Sequence, residues 1–246
     1  MIVSKHPHSP TSQLRVPEGT RIYAIGDVHG CADLLDRVLS RIDAHQAAHP
    51  ALRPVEIFLG DYVDRGPASR EVLERLIARS RVRETVYLKG NHETFIEGFL
   101  QDPTILDHWR QYGGLETLLS YGLGPSVNMD QAEQAELAAA FERALPESHR
   151  LFLGRLKLSF TCGDYFFVHA GVRPGISLAN QREDDLLWIR EDFLLWEADF
   201  RKIIVHGHTP VHEPDIRPNR INIDTGAYAT GRLTCLMLEG DKRTFI

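Results

Sequence analysis

Arg21-Ile22-Tyr23-Ala24-Ile25-Gly26-Asp27-Val28-His29-Gly30 joins an apolar, β-branched and aromatic run to a short polar motif held between glycines. The run reads as a buried strand, and the motif sets an acid and an imidazole where that strand ends. The same succession recurs along the chain. Residues 55–59 precede Gly60-Asp61-Tyr62-Val63-Asp64-Arg65-Gly66, and 85–88 precede Gly90-Asn91-His92-Glu93. Residues 165–168 precede His169-Ala170-Gly171, and 202–205 precede Gly207-His208-Thr209. Between the first three runs, Leu34, Leu35, Val38, Leu39 and Ile42, then Val72, Leu73, Leu76 and Ile77, fall at helical spacing. Strand, helix, strand, helix, strand predicts parallel pairing through crossovers. Ligands of such sheets gather outside the carboxyl ends of the strands, so motifs spread over residues 26–209 are expected to converge.

Asp27, His29, Asp61, Asn91, His169 and His208 are oxygen and nitrogen donors of the kind divalent ions accept. Such a set is about what two adjacent ions sharing one carboxylate require. The glycines flanking Asp27, Asp61 and Asn91 permit the sharp turns that would aim these side chains into one pocket. Taken singly, an Asp after a strand is ordinarily a turn or helix cap. The ordered set carries the metal reading.

On these motifs, with Leu187-Trp188-Ile189-Arg190 and Ile223-Asp224-Thr225-Gly226-Ala227, the chain from Arg21 onward resembles the phosphoprotein phosphatase branch of the calcineurin-like metallophosphoesterases. It is most similar there to compact bacterial and phage members such as the lambda phage phosphatase. The resemblance implies an α/β fold of two stacked mixed sheets flanked by helices. It assigns Asp27, His29 and Asp61 to one metal, and Asp61, Asn91, His169 and His208 to the other. Pro210 stands where other superfamily members carry the second histidine of Gly-His-x-His, as in the phosphatase branch. The implied activity is metal-dependent phosphomonoester hydrolysis on phosphoserine or phosphothreonine, with dual specificity open. The implied cofactors are two divalent ions, manganese foremost, with iron, zinc and magnesium usable by the same ligands. The implied partner is a phosphorylated protein or peptide.

The chemistry can also be built from the residues. A hydroxide bridging two cations is a nucleophile at neutral pH, since coordination lowers the pKa of water to around 7. Arg65 and Arg190 present planar forks for phosphoryl oxygens. His92, beside Asn91, is the natural proton donor, and Asp64 would hold its tautomer and its charge. The resemblance gives the matching positions the same roles. Arg190 lies in a charged stretch, Arg182-Glu183-Asp184-Asp185 onward, where a solvated helical face is the ordinary reading. His206, one strand alternation from His208, is read as structural or surface more readily than as a ligand.

Three other readings compete with this one. Cys31 and Arg37 have the Cys-x5-Arg spacing of thiolate phosphatases, but Asp33 and Asp36 inside that loop would repel a phosphate. A dinucleoside polyphosphate hydrolase, cleaving the tetraphosphate symmetrically, would use the same metal set. That branch is expected to show Gly-Asn-His-Asp and a small residue in place of Asp64, whereas this chain has Glu93 and Asp64. A catalytically dead binding module predicts a lost metal ligand, and none is lost.

At 246 residues, 43% hydrophobic and 25% charged, the chain is long enough for one large core. A net charge of −6 gives no bulk electrostatic reason to expect nucleic acid or an anionic membrane as partner. No apolar run approaches the roughly 20 residues that span a bilayer. Three cysteines, odd in number and widely spaced, point to reduced thiols in the cytoplasm, with Cys162 and Cys235 packing as small apolar groups. Residues 1–20 read as a loose arm and 21–246 as one catalytic domain. Within it, 94–155 reads as a helical insertion covering one side of the site and suited to substrate selection. Residues 157–161 and 165–168 read as a hairpin, with further strands at 220–223, 233–238 and 243–246.

Overall fold

The structure is a computed structural model that describes residues 14–246. Its strands are β1 (Thr20–Ile25), β2 (Arg53–Phe58), β3 (Glu84–Tyr87), β4 (Ser159–Cys162), β5 (Tyr165–Val168), β6 (Ile203–His206), β7 (Asp215–Ile216), β8 (Arg220–Asn222), β9 (Cys235–Glu239) and β10 (Lys242–Phe245). Its helices are α1 (Ala32–Ala48), α2 (Ser69–Arg79), α3 (Asn91–Gln101), α4 (Leu106–Gln111), α5 (Gly114–Ser120), α6 (Gln131–Ala144), α7 (Glu147–Leu153), α8 (Glu183–Trp188), α9 (Glu191–Leu194) and α10 (Ala227–Thr230).

Two five-stranded sheets result, in the orders β10-β9-β1-β2-β3 and β4-β5-β6-β8-β7. β1, β2 and β3 run parallel through the crossovers α1 and α2, and the antiparallel pair β9 and β10 extends that sheet. In the second sheet β5, β6 and β8 are parallel, with β4 and β7 antiparallel at its edges. Strand alternation divides the core into layers. Ile22, Ala24, Val55 and Ile57 face the second sheet and pack on Tyr165, Phe167, Val205 and Ile221. Their neighbours Tyr23, Ile25 and Phe58 face the other way, onto Leu35, Val38, Val72 and Leu76 of α1 and α2. On the far side, Phe166, Val168 and Ile204 are covered by Leu186, Ile189 and Phe193. The architecture is helix, sheet, sheet, helix, as the sequence implied.

Several boundaries moved for physical reasons. The expected hairpin strand at 157 starts two residues later, at Ser159. Lys157 is instead bonded to the first sheet: its amide donates to the Tyr87 carbonyl at 3.0 Å, and the Lys89 amide donates to its own carbonyl at 2.8 Å. Of the arm expected over 1–20, residues 1–13 lie outside the described residues. From Arg15 the chain is clasped between two hairpin turns, the Arg15 amide on the Asp164 carboxylate at 2.9 Å and the Val16 amide on the Gly240 carbonyl at 3.0 Å. Val16 is buried, so these residues are not a loose arm. No described helix is long and apolar enough to cross a membrane.

The interface between the sheets carries a stability prediction. Ile57→Ala, at a fully buried position, should cost about 2–5 kcal/mol in denaturant unfolding. Leu52→Ala, whose side chain is 95% exposed, should change stability by less than about 0.5 kcal/mol. Equal effects would contradict the layered core.

Candidate metal centre

The site is built at the carboxyl ends of β1, β2, β3, β5 and β6, where the chain turns sharply. Those turns put non-glycine residues in the left-handed region: His29 (φ 45°), Asp61 (51°), Asp64 (69°), Arg65 (67°) and His208 (66°). Among the described residues only one other non-glycine, Arg201, has a comparable φ. Left-handed backbone costs an L-residue roughly 1–2 kcal/mol, and such strain gathers at functional sites. Gly207 and Gly90 are needed for a different reason, close approach: a side chain on either would overlap the carboxylate of Asp27 or Asp61, respectively.

Asp61 is the hub. Its Oδ2 lies 3.4 Å from His29 Nε2 and 3.8 Å from His92 Nε2, and its Oδ1 lies 3.4 Å from His169 Nε2. Two groups suited to a metal share it, His29 with His92 and His169 with His208. Asn91 Oδ1 sits 2.9 Å from both His169 Nε2 and His208 Nδ1. Asp27 joins from the side, its Oδ2 accepting the His208 backbone N–H at 2.9 Å. His29 and His169 are oriented from behind, their Nδ1 atoms 2.9 Å from the carbonyls of Val63 and Leu59. This is the outer-shell support expected of ligating imidazoles. All six candidate ligands are therefore brought together, and all are buried.

The donor set fits a pair of cations. Burial, then the nearby Asp224 and Asp61, push the Asp27 carboxyl well above its usual range, and its Oδ1 is buried without a hydrogen-bond partner. Burial lowers the imidazoles of His29 and His208 to about 3 and about 2, so both are neutral rings with one unprotonated nitrogen at neutral pH. A buried acid held above its usual range beside neutral imidazoles marks a cavity that positive charge would stabilise.

His92 and Asp64 form the expected pair. His92 Nδ1 is 2.7 Å from Asp64 Oδ2, and both side chains are buried. Burial acts to lower the His92 pKa, but Asp61 and the bond to Asp64 outweigh it, and the net shift is upward. Asp64 also accepts Trp109 Nε1–H at 2.9 Å and the Thr117 hydroxyl at 2.6 Å, both from the helical segment between β3 and β4. Arg65 is half-buried with its guanidinium 4.7 Å from the centre of the Tyr228 ring. Arg190 is not on a helical face. The helix expected from residue 182 breaks after Trp188, and Arg190 (φ −130°, ψ −99°) stands between α8 and α9 with its Nε 3.3 Å from His208 Nε2.

Three contributors carried no assigned role in the sequence. Glu93 accepts the amides of Gly90 (2.8 Å), Asp61 (3.0 Å) and Tyr62 (2.8 Å), fastening two metal motifs together. A glutamate three residues after a helix start is the signal for such back-bonding. Burial and the neighbouring Asp61 raise its carboxyl to about 7. Asp224, raised by burial to about 6, caps the turn at Gly226, whose amide it accepts at 2.9 Å. Tyr228, on α10, lies edge-on to His29 with ring centres 5.4 Å apart.

The thiolate alternative fails on geometry. The Cys31 thiol points at the His29 carbonyl (3.4 Å) and burial raises it to about 11, while Arg37 pairs with Asp33 on the exposed face of α1. His206 is structural: it packs edge-on against Phe193 on the outer face of the second sheet, ring centres 4.9 Å apart, and burial lowers it to about 3.

Comparison with known proteins adds the family and revises the substrate. The chain is 30% identical over 234 residues to a protein of Anoxybacillus flavithermus named bis(5'-nucleosyl)-tetraphosphatase PrpE [asymmetrical], covering 86% of this chain and 88% of that one. A protein of the same name from Geobacillus sp. is 27% identical over 242 residues, covering 87% and 89%. Among solved structures, a candidate diadenosine tetraphosphatase superposes with a TM-score of 0.62 at 20% identity, over 97% of this chain and 95% of that one. A cold-active protein-tyrosine phosphatase of a psychrophile Shewanella sp. gives 0.55 at 14% identity, over 94% and 83%. At these identities the superpositions speak for the fold alone. The named relatives overturn the expectation of a phosphorylated protein or peptide partner. The residues meant to discriminate, Glu93 and Asp64, are buried and bonded to backbone amides or to His92, Trp109 and Thr117, so they brace the site and do not read substrate. The family model for calcineurin-like phosphoesterases matches residues 20–235, and the chain belongs to that family of metallophosphoesterases.

Proposed function

We propose that this metallophosphoesterase hydrolyses a phosphoanhydride bond of a dinucleoside tetraphosphate. The observation that carries the reading is the similarity to tetraphosphatases along nearly the whole of both chains. The motif set supports a place beside the phosphoprotein phosphatase branch and its compact phage members, with Pro210 in the same position. Substrate follows the relatives. Residues 21–246 are read as one catalytic unit in which the segment 94–155 supports the site through Trp109 and Thr117. The three cysteines are free, in keeping with a reducing cytoplasm.

Asp27, His29 and Asp61 would hold one divalent ion, and Asp61, Asn91, His169 and His208 the other, with manganese as the expected metal. When bound, the pair lowers the pKa of a water and neutralises phosphoryl charge. Arg65 and Arg190, on the open side, grip the non-bridging oxygens and hold the reacting phosphorus in line. The oxygen of a water whose proton has passed to solvent bonds to phosphorus as the P–O bond of the anhydride breaks. His92 donates the proton that the departing nucleotide takes up, and Asp64 keeps the imidazole charged and oriented.

Asp61→Asn should remove more bound metal and more activity than His208→Ala, because Asp61 faces both groups and His208 one. Metal analysis decides it: two ions per chain and normal turnover in the Asp61 variant would refute the shared ligand.

For His92→Asn we expect a loss of about 10² to 10⁴ in turnover on an alkyl phosphate, the usual worth of a positioned general acid. The loss on diadenosine tetraphosphate should be smaller, because a nucleotide phosphate is a far better leaving group than an alkoxide. Product chromatography tests the reaction itself. A nucleoside monophosphate plus a triphosphate is the outcome for attack at unequal halves, and two diphosphates would mean symmetrical cleavage. No hydrolysis of this substrate by the metal-loaded enzyme would sink the reading.

A further inference from the structure

The break after α8 brings two side chains, two residues apart, to the same metal-site histidine, His208. Ile189 (φ −60°, ψ 141°) is buried in the outer core, while its neighbours Trp188 and Arg190 are both exposed. Both reach the metal centre. Arg190 Nε is 3.3 Å from His208 Nε2, and the Trp188 ring centre is 6.2 Å from that of His208. Trp188 is nevertheless 37% exposed. Behind it stand Phe95 and Tyr112, ring centres 6.0 and 6.3 Å away. All three neighbouring rings meet the indole at 81° to 88°, so none is stacked parallel on its face. Tyr228, the other exposed aromatic at the rim, is less free, since Arg65 already lies over its ring.

From this juxtaposition we infer that Trp188 is the stacking platform for a nucleobase of the substrate, with Arg190 gripping the phosphate of the same nucleotide. The inference rests on the dinucleoside tetraphosphate reading and names the residue that would distinguish a nucleotide from a plain phosphate ester. One ribose separates a base from its first phosphate, which matches a phosphate grip and a part-exposed indole two residues apart. Phe95 and Tyr112 fix the indole from behind, so little side-chain entropy is lost when a base stacks. Every base has a π-face, so such a platform selects for a base without selecting which one.

The test uses the full manganese-loaded chain with diadenosine tetraphosphate and 4-nitrophenyl phosphate in parallel. For Trp188→Ala, the ratio of kcat/KM on the dinucleotide to that on the aryl ester should fall about 5- to 100-fold, the usual worth of one base–aromatic stack, mainly through KM. Trp188→Phe should restore most of the ratio. The second readout is intrinsic fluorescence: adenosine triphosphate should quench the wild type saturably, and the quench should vanish in Trp188→Phe, where Trp109 and Trp196 remain. An unchanged ratio in an enzyme that cleaves the dinucleotide overturns the platform alone, as does an equal loss on both substrates or a quench that persists in Trp188→Phe. A wild type active on the aryl ester but inert on the dinucleotide overturns the parent reading, and the platform with it.

Discussion

The buried carboxylate of Asp61 is the constraint on which the rest of the site depends. One oxygen faces His29 and His92 and the other faces His169, so two halves of the centre share a single anionic group. An uncompensated charge of this kind is costly to bury. The His92 imidazole, whose pKa the carboxylate raises, is the one neighbouring ring held toward its charged form. Glu93 binds the amides of Asp61, Tyr62 and Gly90 and so ties the second motif to the third. The two sheets meet at this point, because Asp61 follows β2 of one sheet while His169 and His208 follow β5 and β6 of the other.

Holding these groups together requires strained backbone. Five of the motif residues lie in left-handed conformation without being glycine, in turns locked by bonds across motifs, such as the amides of Val28 and His29 on the Asp61 carbonyl. The layered core keeps that strain in place. Its tightly packed sheets leave the strand ends no freedom to relax, and the segment between β3 and β4 adds Trp109 and Thr117 as fixed donors to Asp64. The His92–Asp64 pair is thus positioned by helices outside the motifs that carry the candidate metal ligands.

Residues that brace the site are distinct from those placed to meet a substrate. Glu93 and Asp64, the residues on which the phosphoprotein expectation rested, are both buried and fully engaged with the protein's own donors. The groups that meet solvent at the rim are others: Arg190, Trp188 and Tyr228. They occupy a broken helix and a one-turn helix, elements too short for any periodicity to announce.

By itself the sequence determined the strands that precede each motif, the crossover helices and the donor set, because strand and helix periods and the position of ligands after strands are local properties that residue order records. Only the tertiary structure decided which way His206 points, that Arg190 leaves its helix, that Lys157 bonds to the first sheet, and that Glu93 and Asp224 join the centre. Each of these depends on where a distant segment lies: Phe193 against His206, His208 against Arg190, Tyr87 against Lys157. The physical reason is that burial and hydrogen-bond partners are set by packing between elements remote in sequence, and residue order along the chain does not state those contacts.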